Sequence, residues 1–278
     1  MSLYFASLNS GSNGNCYYVG NDTEAVLIDA GISCRETEKR MKRSGLDISR
    51  IKAIFISHEH SDHISGVQVL SHKYNLPVYI TNATRNNCRL LIDQELAIHF
   101  LANQPVMVGA LTINAFKKYH DACDPHSFIV SSNKINVGIF TDIGKVCEDL
   151  IYHFKKCHAA ILEANYDATM LATGNYPYHL KRRITSGHGH LSNDEAFQLF
   201  VKHKPVVMSH LVLSHLSKNN NCPDLVNNLF KSKAGTTEII VASRYEETSV
   251  INISATSAPI IRRQIKVSDH RHLQLSMF

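Results

Sequence analysis

The feature that most constrains this chain is the run His58-Glu59-His60-Ser61-Asp62-His63, set just after the unbroken apolar stretch Ala53-Ile54-Phe55-Ile56. A stretch of β-branched and aromatic residues without polar interruption suits a strand covered on both faces. Ile64 to Tyr74 reads as a helix. Strand, ligand-rich turn and helix therefore follow one another, and the donors stand at the end of a rigid element. Three imidazoles and a carboxylate suit zinc, manganese or iron, and no thiolate is among them. In a tight turn, side chains two apart can converge on one ion while the last pair turns to a second. A polar surface loop is the plain alternative, but packing gives no reason to gather four such side chains in so short a span.

Strands and helices alternate around this segment. Phe5 to Leu8, Cys16 to Val19, Ala25 to Ile28, Pro77 to Ile80, Thr112 to Phe116, Phe128 to Ser131, Val137 to Phe140, Ala159 to Leu162, Val206 to Met208 and Ile239 to Val241 read as strands. Arg35 to Ser44 reads as a surface helix stopped by Gly45, and Gly144 to Lys156 as a helix with Val146, Leu150, Ile151 and Phe154 on one face. Ser192 with Glu195 forms a capping box that opens another. Hairpins mixed with crossovers predict an α/β (α+β) fold, a four-layer αββα sandwich of two mixed β-sheets with helices outside. No repeat or linker divides the chain, so one domain is expected over 1–254, with a Ser-, Arg- and Gln-rich tail loosely attached over 255–278.

Composition excludes little but excludes it clearly. Hydrophobic content of 44% and charged content of 19% are those of a globular protein. No apolar run approaches the roughly 20 residues a bilayer requires, and Met1 to Ser10 lacks the basic-then-apolar order of a signal peptide. A cytoplasmic location without membrane contact is expected, and no obligate protein partner is evident. Seven scattered cysteines with no C-x-x-C pair read as reduced structural thiols. A net charge of +5 permits a polyanionic substrate without demanding one, whereas 17 histidines point toward metal.

The spacing His58-x-His60-x-Asp62-His63 resembles the signature of the metallo-β-lactamase superfamily. The resemblance implies a dinuclear centre at one edge of the two sheets, with further ligands on later loops. His120, Asp142 and His215 stand in the required order, each after a predicted strand. By the family pattern His58, His60 and His120 would hold one divalent metal ion, Asp62, His63 and His215 a second, and Asp142 would bridge them. The ions would be zinc or manganese, with iron possible. A carboxylate at Asp142 argues against the lactam-cleaving enzymes, which use a cysteine there.

Three further stretches resemble the YycJ-type (WalJ) branch, whose members are implied to be 5′-to-3′ DNA exonucleases related to the tRNA-processing RNase Z enzymes. They are Ser7 to Tyr17, Leu162 to Asp167 with Tyr176 to Ile184, and Gly189 to Ala196. The likeness runs from about Ser7 to Asn252 and departs at Gly187-His188-Gly189, which is more histidine-rich. It implies a phosphodiesterase acting on nucleic acid, DNA in the first place, in which a hydroxide bridging the metals attacks phosphorus with Asp62 and Asp142 orienting it. Glu163 and His190 match in order the proton-donating pair of the tRNA-processing enzymes, so by that resemblance Glu163 would orient His190 toward the leaving group.

The remaining residues of those stretches fit such a substrate. Lys181, Arg182 and Arg183 could meet phosphates, with Tyr176 and Tyr178 stacking on a base; a basic helix start on a solvated surface is the alternative. Ser10, Ser12 and Asn13 sit in a loop that could offer backbone N–H groups to a terminal phosphate or could be a hairpin turn. Two rivals remain: another hydrolase on the same scaffold, such as a thioesterase or small-molecule phosphodiesterase, and a non-hydrolytic metal or redox module. A nuclease needs an open basic groove and a thioesterase a closed apolar pouch. The redox module usually carries a flavodoxin-like extension, and none follows the core here.

Overall fold

The computed structural model describes residues 2–254; the tail expected over 255–278 lies outside them. The first half of the chain runs β1 (Leu3–Asn9), β2 (Cys16–Gly20), β3 (Ala25–Ile28), α1 (Cys34–Arg43), β4 (Ile51–Phe55), α2 (Ser61–Ile64), α3 (Val67–Tyr74), β5 (Val78–Tyr79), α4 (Asn82–Asn87) and β6 (Ala97–Ile98). The second half runs β7 (Val106–Val108), β8 (Leu111–Lys117), β9 (His126–Ser132), β10 (Ile135–Phe140), α5 (Glu148–Phe154), β11 (Ala159–Glu163), α6 (Ala168–Thr173), α7 (Tyr178–Ile184), α8 (Asn193–His203), β12 (His210–Ser214), α9 (Pro223–Lys231), β13 (Glu238–Val241) and β14 (Ile251–Ile253).

Two seven-stranded mixed sheets result, ordered β14-β1-β2-β3-β4-β5-β6 and β13-β12-β11-β10-β9-β8-β7. The chain crosses back once, when β14 pairs antiparallel with β1 at Leu3↔Ile253 and Phe5↔Ile251. Side chains of period two sort the layers. In β3, Val26 and Ile28 join Phe5, Phe55, Phe128, Val137 and Ile161 between the sheets, while Leu27 points outward with Ile54, Met41 and Leu70 beneath α1 and α3. Phe140, Leu162 and Leu213 face the opposite way, onto Phe154, Phe200 and Phe230 of α5, α8 and α9. This is the αββα sandwich.

Three predicted elements are corrected. The helix over Ile64 to Tyr74 is two pieces broken at Gly66, where a Cβ would sit 1.9 Å from the Ile32 carbonyl oxygen. The helix over Gly144 to Lys156 begins only at Glu148, because Cys147 before it is extended, at φ −123° and ψ 170°. Val206 to Met208 is a turn closed by the Met208 N–H on the Pro205 carbonyl at 3.0 Å, and the strand follows it as β12.

Candidate metal centre

Parallel strands deliver the site. β3 pairs parallel with β4, and β10, β11 and β12 pair parallel with one another, so their C-terminal ends share one edge of the sandwich. Ligand-bearing loops of parallel sheets occupy such ends. Asp29 follows β3, His58 follows β4, Asp142 follows β10, Glu163 closes β11 and His215 follows β12. Asp29, Asp142 and His215 stand on left-handed backbone with φ of 59°, 54° and 55°. Residues other than glycine rarely adopt that conformation, and where they do the surrounding structure must hold them. The Ser10 hydroxyl accepts from the His215 N–H at 2.7 Å, and the Ile143 N–H donates to Glu163. Gly31 lets α2 approach: a Cβ there would lie 1.6 Å from the Asp62 carbonyl oxygen.

The ligand atoms of His58, His60 and His120 lie within 4.8 Å of one another, and those of Asp62, His63 and His215 form a second such group. Asp142 stands between the groups. Its Oδ2 is 3.1 Å from His63 Nε2, and its Oδ1 is 3.6 Å from His215 Nε2 and 3.8 Å from His120 Nε2. The outward nitrogens are tied down: His63 Nδ1 lies 2.7 Å from Asp29 Oδ2, His58 Nδ1 2.8 Å from Ser57 Oγ and His120 Nδ1 2.9 Å from the Gly189 carbonyl. Such contacts fix the tautomer and aim each Nε2 inward. Asn15 donates to Asp62 Oδ2 at 3.1 Å.

Electrostatics sharpen the arrangement. Burial pushes His58 well below the usual imidazole range and His120 down to about 3, so both present neutral nitrogens. Burial would also depress His63, but the carboxylates of Asp142, Asp29 and Asp62 outweigh it and raise it to about 10. Burial opposes ionisation of Asp62 and Asp142, yet His63 and His215 hold Asp62 at about 2 and Asp142 well below the carboxylate range. Positive charge is thus demanded among these carboxylates. His215 Nε2 is buried without a hydrogen-bond partner, 3.6 Å from Asp142 Oδ1 and 3.7 Å from Asp62 Oδ2, a group that a bound ion would satisfy. The donor set, all imidazole and carboxylate, fits a divalent cation.

Glu163 is fully buried behind this centre, with Oε1 2.7 Å from His190 Nδ1 and 3.2 Å from His215 Nδ1. Glu163, His190 and His215 also lie close enough to hold an ion, but these contacts and the Ile143 N–H already occupy both carboxylate oxygens. A cleft of about 170 Å³ opens on the centre, lined by His190, His215, Ser12, Asp121, Tyr176 and Arg183 among others. Arg183 closes its rim by pairing with Asp121.

The other expected substrate contacts divide. Ser10 is buried with its hydroxyl committed to His215 and Tyr17, and Asn13 donates to the Arg244 carbonyl at 2.9 Å. The opening loop is the β1–β2 hairpin connection, and of the three contacts expected in it Ser12 alone lines the cleft. The basic triplet ends helix α7 rather than starting one, so Lys181 and Arg182 line a different cavity from Arg183. His210 lies at the far end of β12, 3.3 Å from Glu238, and His188 packs at 5.8 Å on Tyr119.

Sequence reasoning missed Asp29, Asn15, Asn165 and Lys118. Lys118 is buried with Nζ donating to the Thr141 carbonyl at 2.7 Å, beside Asp142. Asn165 donates to the His215 carbonyl at 2.7 Å. For Asp29 one signal existed, a carboxylate directly after an apolar strand; the others have none short of the fold.

The comparisons agree with this architecture. A family model described as the metallo-beta-lactamase superfamily matches residues 10–114. Exodeoxyribonuclease YycJ of Bacillus anthracis is 37% identical over 230 residues, which cover 81% of this chain and 86% of that one. Exodeoxyribonuclease WalJ of Streptococcus pneumoniae serotype 2 is 31% identical over 228 residues, covering 80% and 85%. Among solved structures, the metallo-beta-lactamase fold protein YhfI from Bacillus subtilis superposes with a TM-score of 0.71 at 18% identity, over 91% of this chain and 100% of that one. The short form of human tRNase Z superposes with a TM-score of 0.61 at 18% identity, over 90% and 100%. At such identity these two share the fold.

Proposed function

Because the chain belongs to the metallo-β-lactamase superfamily, in the family of the YycJ and WalJ exodeoxyribonucleases, we propose that it is a dinuclear phosphodiesterase that removes nucleotides from the 5′ end of DNA. The observation that carries this reading is the position of Asp142 within 3.8 Å of nitrogens from both histidine groups. His58, His60 and His120 would hold one divalent ion, Asp62, His63 and His215 the other, and Asp142 both. Bound there, two such ions bring the pKa of water toward neutrality and neutralise the charge that shields a phosphodiester from attack.

The chain's own groups do the rest. Asp62 and Asp142, kept ionised, accept hydrogen bonds from the attacking water and turn a lone pair toward phosphorus. Glu163 fixes Nδ1 of His190, which leaves Nε2 to give a proton to the departing 3′-oxygen. Arg183, 58% exposed at the cleft rim, can exchange Asp121 for a substrate phosphate. Arg183 and Asp121, which stand in the cleft beside Leu180 and Ile184, support a charged strand over an acyl thioester, which needs an apolar pouch. No helix among the described residues is long and apolar enough to cross a membrane.

The test is a substrate panel. Protein loaded with manganese or zinc is offered end-labelled DNA, end-labelled RNA and a set of thioesters. Release of mononucleotides from the 5′ end of DNA, faster than from RNA, is expected. Preferential thioester cleavage would overturn the substrate while leaving the fold intact.

A further inference from the structure

Helix α7 splits the tripeptide Lys181-Arg182-Arg183 between two faces. Successive residues on a helix point about 100° apart, so neighbours in sequence need not share a surface. Leu180, Arg183 and Ile184 line the cleft beside His190 and His215. Tyr178, Lys181, Arg182 and Thr185 line a separate cavity of about 570 Å³, floored by Tyr166 and Leu171. Tyr176, just before the helix, lines both spaces and joins them at the N-terminal end of α7.

The second cavity is built for a flat apolar body carrying negative charge. Tyr178 is 75% exposed, with the Arg182 guanidinium carbon 5.9 Å from its ring centroid. Arg183 is paired with Asp121, whereas neither Lys181 nor Arg182 has a carboxylate partner among the described residues; Lys181 Nζ donates only to the Ala172 carbonyl, at 2.7 Å. The one carboxylate in the lining, Glu195, is already held through Oε2 by the Ser192 N–H and hydroxyl at 2.9 and 2.8 Å. Aromatic rings beside unspent cations and continuous with the cleft match a nucleotide: a base for the tyrosines and a phosphate for the cations.

We propose that this cavity binds a nucleotide of the substrate strand outside the bond being cut, with its base on Tyr176 and Tyr178 and its phosphate on Lys181 and Arg182, so that the strand bends round the start of α7. The assignment rests on the nuclease reading, and its test separates the two. The full chain, loaded with manganese and mixed by stopped flow so that binding is read before turnover, is titrated with short oligothymidylates that each carry one 2-aminopurine at a different position. At one position the wild type should quench the fluorophore by stacking. Tyr178→Ala and Arg182→Gln should abolish that quench or raise its Kd at least about fivefold, whereas Tyr152→Ala, a variant at an exposed tyrosine lining neither space, should behave as wild type. Equal titrations for all four proteins, or no quench in the wild type, would overturn the proposal. Hydrolysis of the same oligonucleotides by the manganese-loaded wild type is followed in parallel. Its absence, with the quench and its loss in the variants retained, would remove the nuclease reading and leave the nucleotide site.

Discussion

Glu163 shows how one buried carboxylate can serve two histidines. Burial alone would raise its pKa, but His190 and His215 outweigh that and hold it below the carboxylate range, so it stays ionised between them. Its contact with His215 aims Nε2 at the centre, and its contact with His190 leaves Nε2 of that ring turned to the cleft. The two histidines thus differ in what their loss should do. His190→Ala is expected to retain bound metal and to lower turnover on the order of 10²- to 10⁴-fold, the usual worth of a positioned proton donor. His215→Ala should lose metal as well. Metal analysis beside single-turnover rates checks both, and unchanged turnover in His190→Ala would end its assigned role.

At the scale of elements, α1 and α3 are joined across the outer face by Glu38, whose Oε1 accepts from Cys34 Sγ at 3.0 Å, Lys73 Nζ at 2.7 Å and Tyr74 Oη at 2.8 Å. Those hydrogen bonds, that of Cys34 foremost, pull Glu38 down to about 2. The folded value lies below the unfolded one of about 4.3, so the contribution is complete above that pH and is lost as pH falls through the folded value. The site is largely solvated, which keeps the effect small. Thermal melts of wild type should therefore lose more Tm between about pH 5 and pH 2 than melts of Glu38→Gln; parallel slopes would contradict the link.

Elements also mark what could be read from the chain alone. β3 was legible to the residue, because Ala25–Ile28 is wholly apolar and flanked by turn formers. The α8 start was legible because Ser192 and Glu195 satisfy each other locally, and the structure contains that capping box. Illegible were features decided by contacts distant in sequence. Gly66 breaks a periodic helix because its N–H donates to the distant Ala30 carbonyl at 2.8 Å, where the Ile32 carbonyl leaves no room for a side chain, and β12 lay hidden because its ends, His210 and Ser214, are polar. The split of the basic triplet needed a helix whose N-terminal boundary, at Pro177 and Tyr178, is not written in any apolar period. The motif at His58 to His63 was legible as a whole; Asp29 left only the faint signal of a carboxylate directly after an apolar strand, and Lys118, which acts from another strand, left none.

For the whole molecule, the proposed ligands come from both sheets: His58, His60, Asp62 and His63 follow β4, and His120, Asp142 and His215 follow β8, β10 and β12. An ion held by both sets would tie the two halves of the sandwich together. A ligand bound only by the folded state adds RT ln(1 + [L]/Kd), about 2.7 kcal/mol at a hundredfold excess over Kd. Stripping metal with EDTA should therefore lower Tm by several degrees in one cooperative transition, and zinc or manganese should restore it. An unmoved Tm would mean that no ion bridges the sheets.

The centre itself is tested most directly by counting metal. The full chain, loaded with zinc or manganese and freed of excess by gel filtration, is measured by inductively coupled plasma mass spectrometry against protein concentration. Two equivalents per chain are expected in the wild type and fewer than one in Asp142→Ala. A wild type that holds no more than one equivalent, or an Asp142→Ala variant that keeps two, would contradict a shared dinuclear centre.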